Sequence, residues 1–159
     1  MNRKYVEILD DTRCEIYEIR KWINSGKNKF DSKTRYLISY SVIKASGTIE
    51  VVFKHLIFDF LSMGTQEDTK NYLEKMIVES SYNPNAGNMS NMLQSISNDR
   101  RDIFDEKVKE SGYKPQINSL VQLRNDFAHG DSINVSIDTV ITYFEASVEV
   151  LKILENVLK

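Results

Sequence analysis

The sequence predicts an all-α bundle with a long central helix and a long C-terminal helix, and three observations carry that expectation. Apolar residues recur at three- and four-residue steps through most of the chain. Only 6 Gly and 2 Pro stand among 159 residues, too little turn material for a sandwich or barrel of short strands. No segment alternates apolar and polar residues for long; Ser132 to Ser136 comes nearest and is too short to support a sheet.

The first helix is expected from about Arg3 to Asn24. Tyr5, Ile8, Leu9, Thr12, Ile16, Ile19 and Ile23 share one face, and charges fill the gaps. Asn24-Ser25-Gly26 stops it. Asp31 and Ser32 are good N-caps for a second helix from about Lys33 to Leu61. Its centre, Val42 to Leu56, is poor in charge, so it is expected to be the central and most buried helix. Gly47, among Ala45, Ser46 and Thr48, suggests close approach of another helix.

Met63-Gly64 ends that helix. Thr65 is expected to cap a third, with Asp68 completing a capping-box-like pattern and Tyr72, Leu73, Met76 and Ile77 as its buried stripe. Tyr82 to Asn88 is the clearest loop. A weaker helix follows from Met89 to Ile96. Asn98 or Asp99 is expected to cap another from Arg100 to Glu110, closed by Ser111-Gly112. Lys114-Pro115 opens the next, with Pro in a first-turn position and Ile117, Leu120, Val121, Leu123 and Phe127 on its apolar face. The last helix starts after Ser136 and steps through Val140, Phe144, Ser147, Leu151, Leu154 and Leu158.

The length suits one domain spanning residues 1–159, with one core. A net charge of −2 excludes a strongly basic, nucleic-acid-coating surface but leaves room for a local basic cleft. One Cys and two His cannot build a closed structural zinc site without help from acids, so neither metal nor cofactor is expected. The lone Cys14 excludes an internal disulfide and reads as a packing residue. No apolar run reaches the roughly 20 residues of a membrane span, and the charged N-terminal residues lack a signal-peptide core. A soluble, cytoplasmic protein without membrane attachment is expected.

The segment Leu120 to Gly130 carries the chemistry. Arg124, Asn125 and His129 stand within one and a half turns at the end of a helix. Asn125 and His129, four apart, share a face. Arg124 and His129, five apart, sit about 140° round a regular helix. They converge only if the arginine wraps round or the helix unwinds, and Gly130 is what a helix end there needs. Arginine offers a permanently charged fork for phosphate oxygens. Histidine, with an ordinary pKa of about 6.5, gives or takes a proton near neutrality. Asparagine can orient the imidazole or bind a phosphate or ribose oxygen. Attack of an RNA 2′-hydroxyl on the adjacent phosphate needs such a base, acid and cation. The plain alternative is a dipole-favouring histidine and a surface arginine.

Arg124-Asn125-Asp126-Phe127-Ala128-His129-Gly130 resembles the signature of the HEPN superfamily, and it stands, as there, at the end of the helix before the last. Ser46-Gly47-Thr48-Ile49-Glu50 and Tyr82-Asn83-Pro84-Asn85 resemble the RiboL-PSP and related MAE-type branches. The resemblance implies a HEPN-like helical bundle that pairs into a homodimer with a composite, metal-independent RNA-cleaving cleft. Arg124 would then stabilise the scissile phosphate, His129 act as general acid or base, and Asn125 support both. It further implies a toxin–antitoxin, stress-response or anti-phage setting, with RNA as substrate and an antitoxin or defence protein as partner. A non-catalytic HEPN module binding a protein or nucleotide is the alternative.

Glu50 is a further candidate, since some HEPN nucleases use an acid from an earlier helix. It would either pair with Arg124 or form an ordinary i,i+4 surface pair with Lys54. His55 reads as a satisfied core histidine. Arg100, Arg101, Lys107 and Lys109 are interleaved with acids and read as a solvated mixed-charge face. Asp131 stands where some HEPN toxins carry a modifiable Tyr.

Overall fold

In the computed structural model, which describes residues 1–159 apart from the side chain of Lys29, seven α-helices follow one another without an intervening strand. They are α1 (Arg3–Ile23), α2 (Lys33–Ser62), α3 (Glu67–Leu73), α4 (Ala86–Ile96), α5 (Asn98–Ser111), α6 (Lys114–Ala128) and α7 (Ile137–Leu158). Each long helix lies within two residues of the span its apolar periodicity predicts.

Helix α2 packs against α1, α6 and α7, and the α4–α5 pair closes the bundle against α6 and α7. Phe53 of α2, Phe104 of α5 and Phe144 of α7 are fully enclosed, and nearly all the buried apolar side chains join in one cluster. Helix α2 is central, but it is not the most buried. Twelve of its 30 residues are buried, against twelve of the 22 in α7. The reason is that α2 runs past the bundle on one side and leaves a face uncovered.

That face also corrects the reading of Gly47. No atom outside its own helix turn lies within 4 Å of where a Cβ would be built. The close approach falls one residue away, where the buried hydroxyls of Thr12 and Thr48 share a hydrogen bond of 2.8 Å between α1 and α2. Gly47 points outward, in line with exposed Tyr36, Tyr40, Ile43 and Val51.

The capping residues differ in detail from expectation. Of the two expected N-caps of α2, Asp31 accepts from the first-turn amide of Lys33 at 2.8 Å, and Ser32 makes no side-chain cap. Thr65 caps nothing; its hydroxyl donates back to the Ser62 carbonyl, and α3 begins after Gln66. Ser97, not Asn98 or Asp99, caps α5 through the Arg100 amide. Asn85 caps α4, which starts at Ala86, three residues earlier than expected, and Ser136 caps α7 as expected.

The expected stripe of α3 holds only for Leu73, which packs partly buried on the core, and for buried Ile77. After Leu73 the helix widens into a π turn, Glu74–Val78, in which the Glu79 amide reaches back five residues to the Glu74 carbonyl. Tyr72, before the widened turn, and Met76, within it, stay exposed. No helix among the described residues is long and apolar enough to cross a membrane.

Candidate functional site

Ile117, Leu120 and Val121 bury one face of α6, and this sets the rotation of everything that follows. Arg124, Asn125 and Asp126 are half-buried, while Phe127 to Gly130 are exposed. The helix ends in a Schellman turn. The Gly130 amide bonds to the Phe127 carbonyl at 3.0 Å and the Asp131 amide to the Asp126 carbonyl at 2.9 Å. Gly130 has φ +91°, which a residue with a Cβ adopts only under strain. The glycine therefore stops the helix one residue after the histidine and leaves the imidazole in solvent.

Arg124 leans around the helix toward its neighbour. Its Nη1 donates to Asn125 Oδ1 at 3.2 Å and to Asn83 Oδ1 at 3.3 Å. Asn125 lies between Arg124 and His129 around the helix circumference, so this contact turns the guanidinium toward the histidine's side. Both acceptors are neutral amides, and no carboxylate pairs with Arg124 among the described residues. The charge stays available to an anion. His129 makes no side-chain hydrogen bond among the described residues, and its imidazole shares none with Arg124.

Glu50 takes the second of its two expected positions, with a difference. Its Oε1 lies 3.3 Å from Lys54 Nζ and accepts from the Tyr82 amide at 3.1 Å. No bond joins it to Arg124 among the described residues. The pair is not a surface one, because the two side chains are only 17% and 10% exposed. Lys54 Nζ also donates to the Ser80 carbonyl. Glu50 and Lys54 thus strap the segment 80–85 to α2, and the Tyr82 ring packs on Phe53, 6.0 Å between centroids. Within the strap, Asn88 Nδ2 donates to the Asn83 carbonyl at 2.9 Å. In the sequence, Asn83 stands out only as part of a loop and of the resemblance. Its role was hidden because its partner lies 41 residues away.

The other candidates fall outside this constellation. His55 is half-buried, with Nδ1 2.8 Å from the Val51 carbonyl and its ring against Tyr5. Arg100 is tied to α7 through the Val157 carbonyl and stacks over Phe60 at 4.7 Å, while Arg101 pairs with Asp102. Lys107, Lys109 and their acidic neighbours form the expected solvated face. Cys14 is exposed, contrary to the packing role expected of it, because it falls on the outer side of α1.

A helical bundle that presents Arg-Asn and His-Gly at the end of its penultimate helix defines a HEPN-type domain. The family model described as RiboL-PSP-HEPN matches residues 11–159, from within α1 to the end of α7, and the chain belongs to that family. Domains of this type are often ribonucleases. No curated protein and no solved structure matches the chain.

Proposed function

We propose that the chain is a HEPN endoribonuclease that cleaves RNA without a metal ion, at a site shared between two copies. The observation that carries the reading is Arg124. It is a permanent cation held by two neutral amides at a helix end, one and a half turns before an exposed histidine.

The chemistry is transesterification. A base takes the proton of the RNA 2′-hydroxyl, the 2′-oxygen bonds to the adjacent phosphorus, and the bond to the 5′-oxygen breaks. An acid returns a proton to that oxygen, leaving a 2′,3′-cyclic phosphate and a 5′-hydroxyl. Arg124 stabilises the charge on the non-bridging phosphate oxygens. One His129 serves as base and a second as acid, which requires two chains because each supplies one. Asn125 orients the arginine. Glu50 acts from behind the strap and not on the substrate.

The uncovered α2 face supports the pairing. Tyr36, Tyr40, Ile43, Gly47 and Val51 step along it at three- and four-residue intervals. It continues through Tyr36 and Phe127 into a 240 Å³ cleft bordered by Gly130. A second copy seated there brings two motif ends together. A nuclease directed at cellular RNA needs restraint, so the setting proposed is toxin–antitoxin, stress response or phage defence, with a restraining protein partner.

The test is cleavage of a defined RNA by purified protein in chelator, with sedimentation to read the oligomeric state. The expected result is cleavage to cyclic-phosphate ends by the wild type, abolished by His129→Ala and by Arg124→Ala, with dimer and cleavage both lost in Ile43→Lys. Intact RNA with a folded wild-type dimer overturns the nuclease and leaves a binding module.

A further inference from the structure

Arg124 is held by one side chain from outside its own helix, and that side chain belongs to a loop pinned at several points. Lys54 binds the Ser80 carbonyl, Glu50 binds the Tyr82 amide, and Asn88 binds the Asn83 carbonyl. Pro84 is buried, and Asn85 caps α4, so the loop is fixed at its far end as well. An amide oxygen presented from so fixed a backbone is a pre-set acceptor. Without it, Arg124 keeps only the contact with its adjacent residue, and a four-torsion side chain is poorly confined by one neutral hydrogen bond.

The chemical type of the acceptor matters as much as its place. A carboxylate at position 83 would hold the guanidinium more tightly, but it would also neutralise it and compete with a phosphate for the same donors. An amide confines the fork and leaves its charge intact.

We propose that Asn83 is a positioning residue for Arg124, orienting the guanidinium toward a phosphate without neutralising it. The inference rests on the proposed reading of Arg124 as the phosphate-binding group. Two isosteric or truncating changes separate its two parts. Asn83→Ala removes the hold and keeps the charge; Asn83→Asp keeps the hold and removes the charge.

The probe is a 2′-O-methyl RNA oligonucleotide, which binds without being cut, titrated by fluorescence anisotropy over a range of salt. Asn83→Asp is expected to weaken binding about tenfold and to flatten the slope of log K against log salt by about 0.7, one phosphate contact on a single strand. Asn83→Ala is expected to leave that slope near the wild-type value and to lower kcat on cleavable RNA more than it raises KM. In parallel, the Arg124 Nε–H, followed by 15N relaxation, is expected to be ordered in the wild type and in Asn83→Asp and mobile in Asn83→Ala. This readout needs no RNA activity. An equally mobile Arg124 in the wild type and Asn83→Ala overturns the positioning role. An unchanged salt slope in Asn83→Asp overturns the charge argument. If Arg124→Ala itself binds the probe as the wild type does, the reading of Arg124 fails, and the inference falls with it.

Discussion

Replacing Lys54 by Met removes one charge from the strap and keeps most of the side-chain volume. The Lys54 and Glu50 side chains are 10% and 17% exposed, so little water is at hand to replace what is lost. The Ser80 carbonyl loses its ammonium donor, and Glu50 keeps only the Tyr82 amide, at 3.1 Å. A hydrogen bond to a charged group contributes about 1.5–3 kcal/mol net, and stranding one member of a buried pair costs about 3–5 kcal/mol. Glu50's remaining amide donor and its residual exposure reduce that figure, and the thioether packs well. A net loss of about 2–3 kcal/mol follows. For a chain of this size it lowers Tm by about 5–10 °C. Urea unfolding should show the midpoint falling at constant slope, since the exposed area on unfolding barely changes. The double variant Lys54→Met/Glu50→Gln should cost less than the two singles combined, by about 1 kcal/mol, because the singles share one interaction. A loss below about 0.5 kcal/mol, or strict additivity, would refute the claim that this pair ties the loop to α2.

Gly47→Ala should stabilise the isolated monomer by about 0.5–1 kcal/mol, since nothing lies within 4 Å of the added methyl and the helix interior prefers alanine. If two α2 faces meet there, sedimentation should show the same change weakening the dimer, and opposite signs in the two measurements are the expected outcome. The Tyr5 phenol, buried and bonded to Asp59, has its pKa raised above the ordinary 10.0, first by burial and then by the carboxylate. Unfolded chains ionise it from about that pH while folded chains do not. Its contribution is therefore complete below pH 10.0 and declines as pH rises above it. Chemical denaturation at pH 9 and pH 11 should show a steeper alkaline loss for the wild type than for Tyr5→Phe, and equal losses would refute this assignment.

What could be read from the sequence follows from how local each signal is. Helices α1, α6 and α7 carry their apolar stripes within their own residues, with Pro115 in the first turn of α6 and Ser136 capping α7, so their spans are legible without knowledge of the partners. The end of α6 is equally legible, because the Arg124-to-Gly130 segment contains the glycine that stops the helix. The cap of α5 falls one residue before the expected pair, and at α2 only one of the two expected residues bonds, since neighbouring Asp, Ser and Asn compete for the same amides and the backbone angle decides between them. In the segment 65–80, Tyr72 and Met76 mislead because they sit four apart, as a buried pair would, yet both stay exposed. Asn83 could not be read at all from spacing. Its meaning depends on α6 and the strap meeting in space, and a polar residue before a proline looks like any other turn residue.

The widened turn at Glu74–Val78 has a consequence for how such a chain tolerates insertion and deletion. A π turn holds one residue more than the α-helix that would otherwise run through it. Deleting that residue would rotate all that precedes it by about 100° relative to Ser80 and draw it about 1.5 Å closer along the axis. Ile77 would leave the core, and the Ser80 carbonyl would be pulled off Lys54. A change of a single codon in that turn would thereby disturb the strap from which Asn83 reaches Arg124. Length in that turn is therefore constrained by the packing of Ile77 and by the Lys54–Ser80 bond.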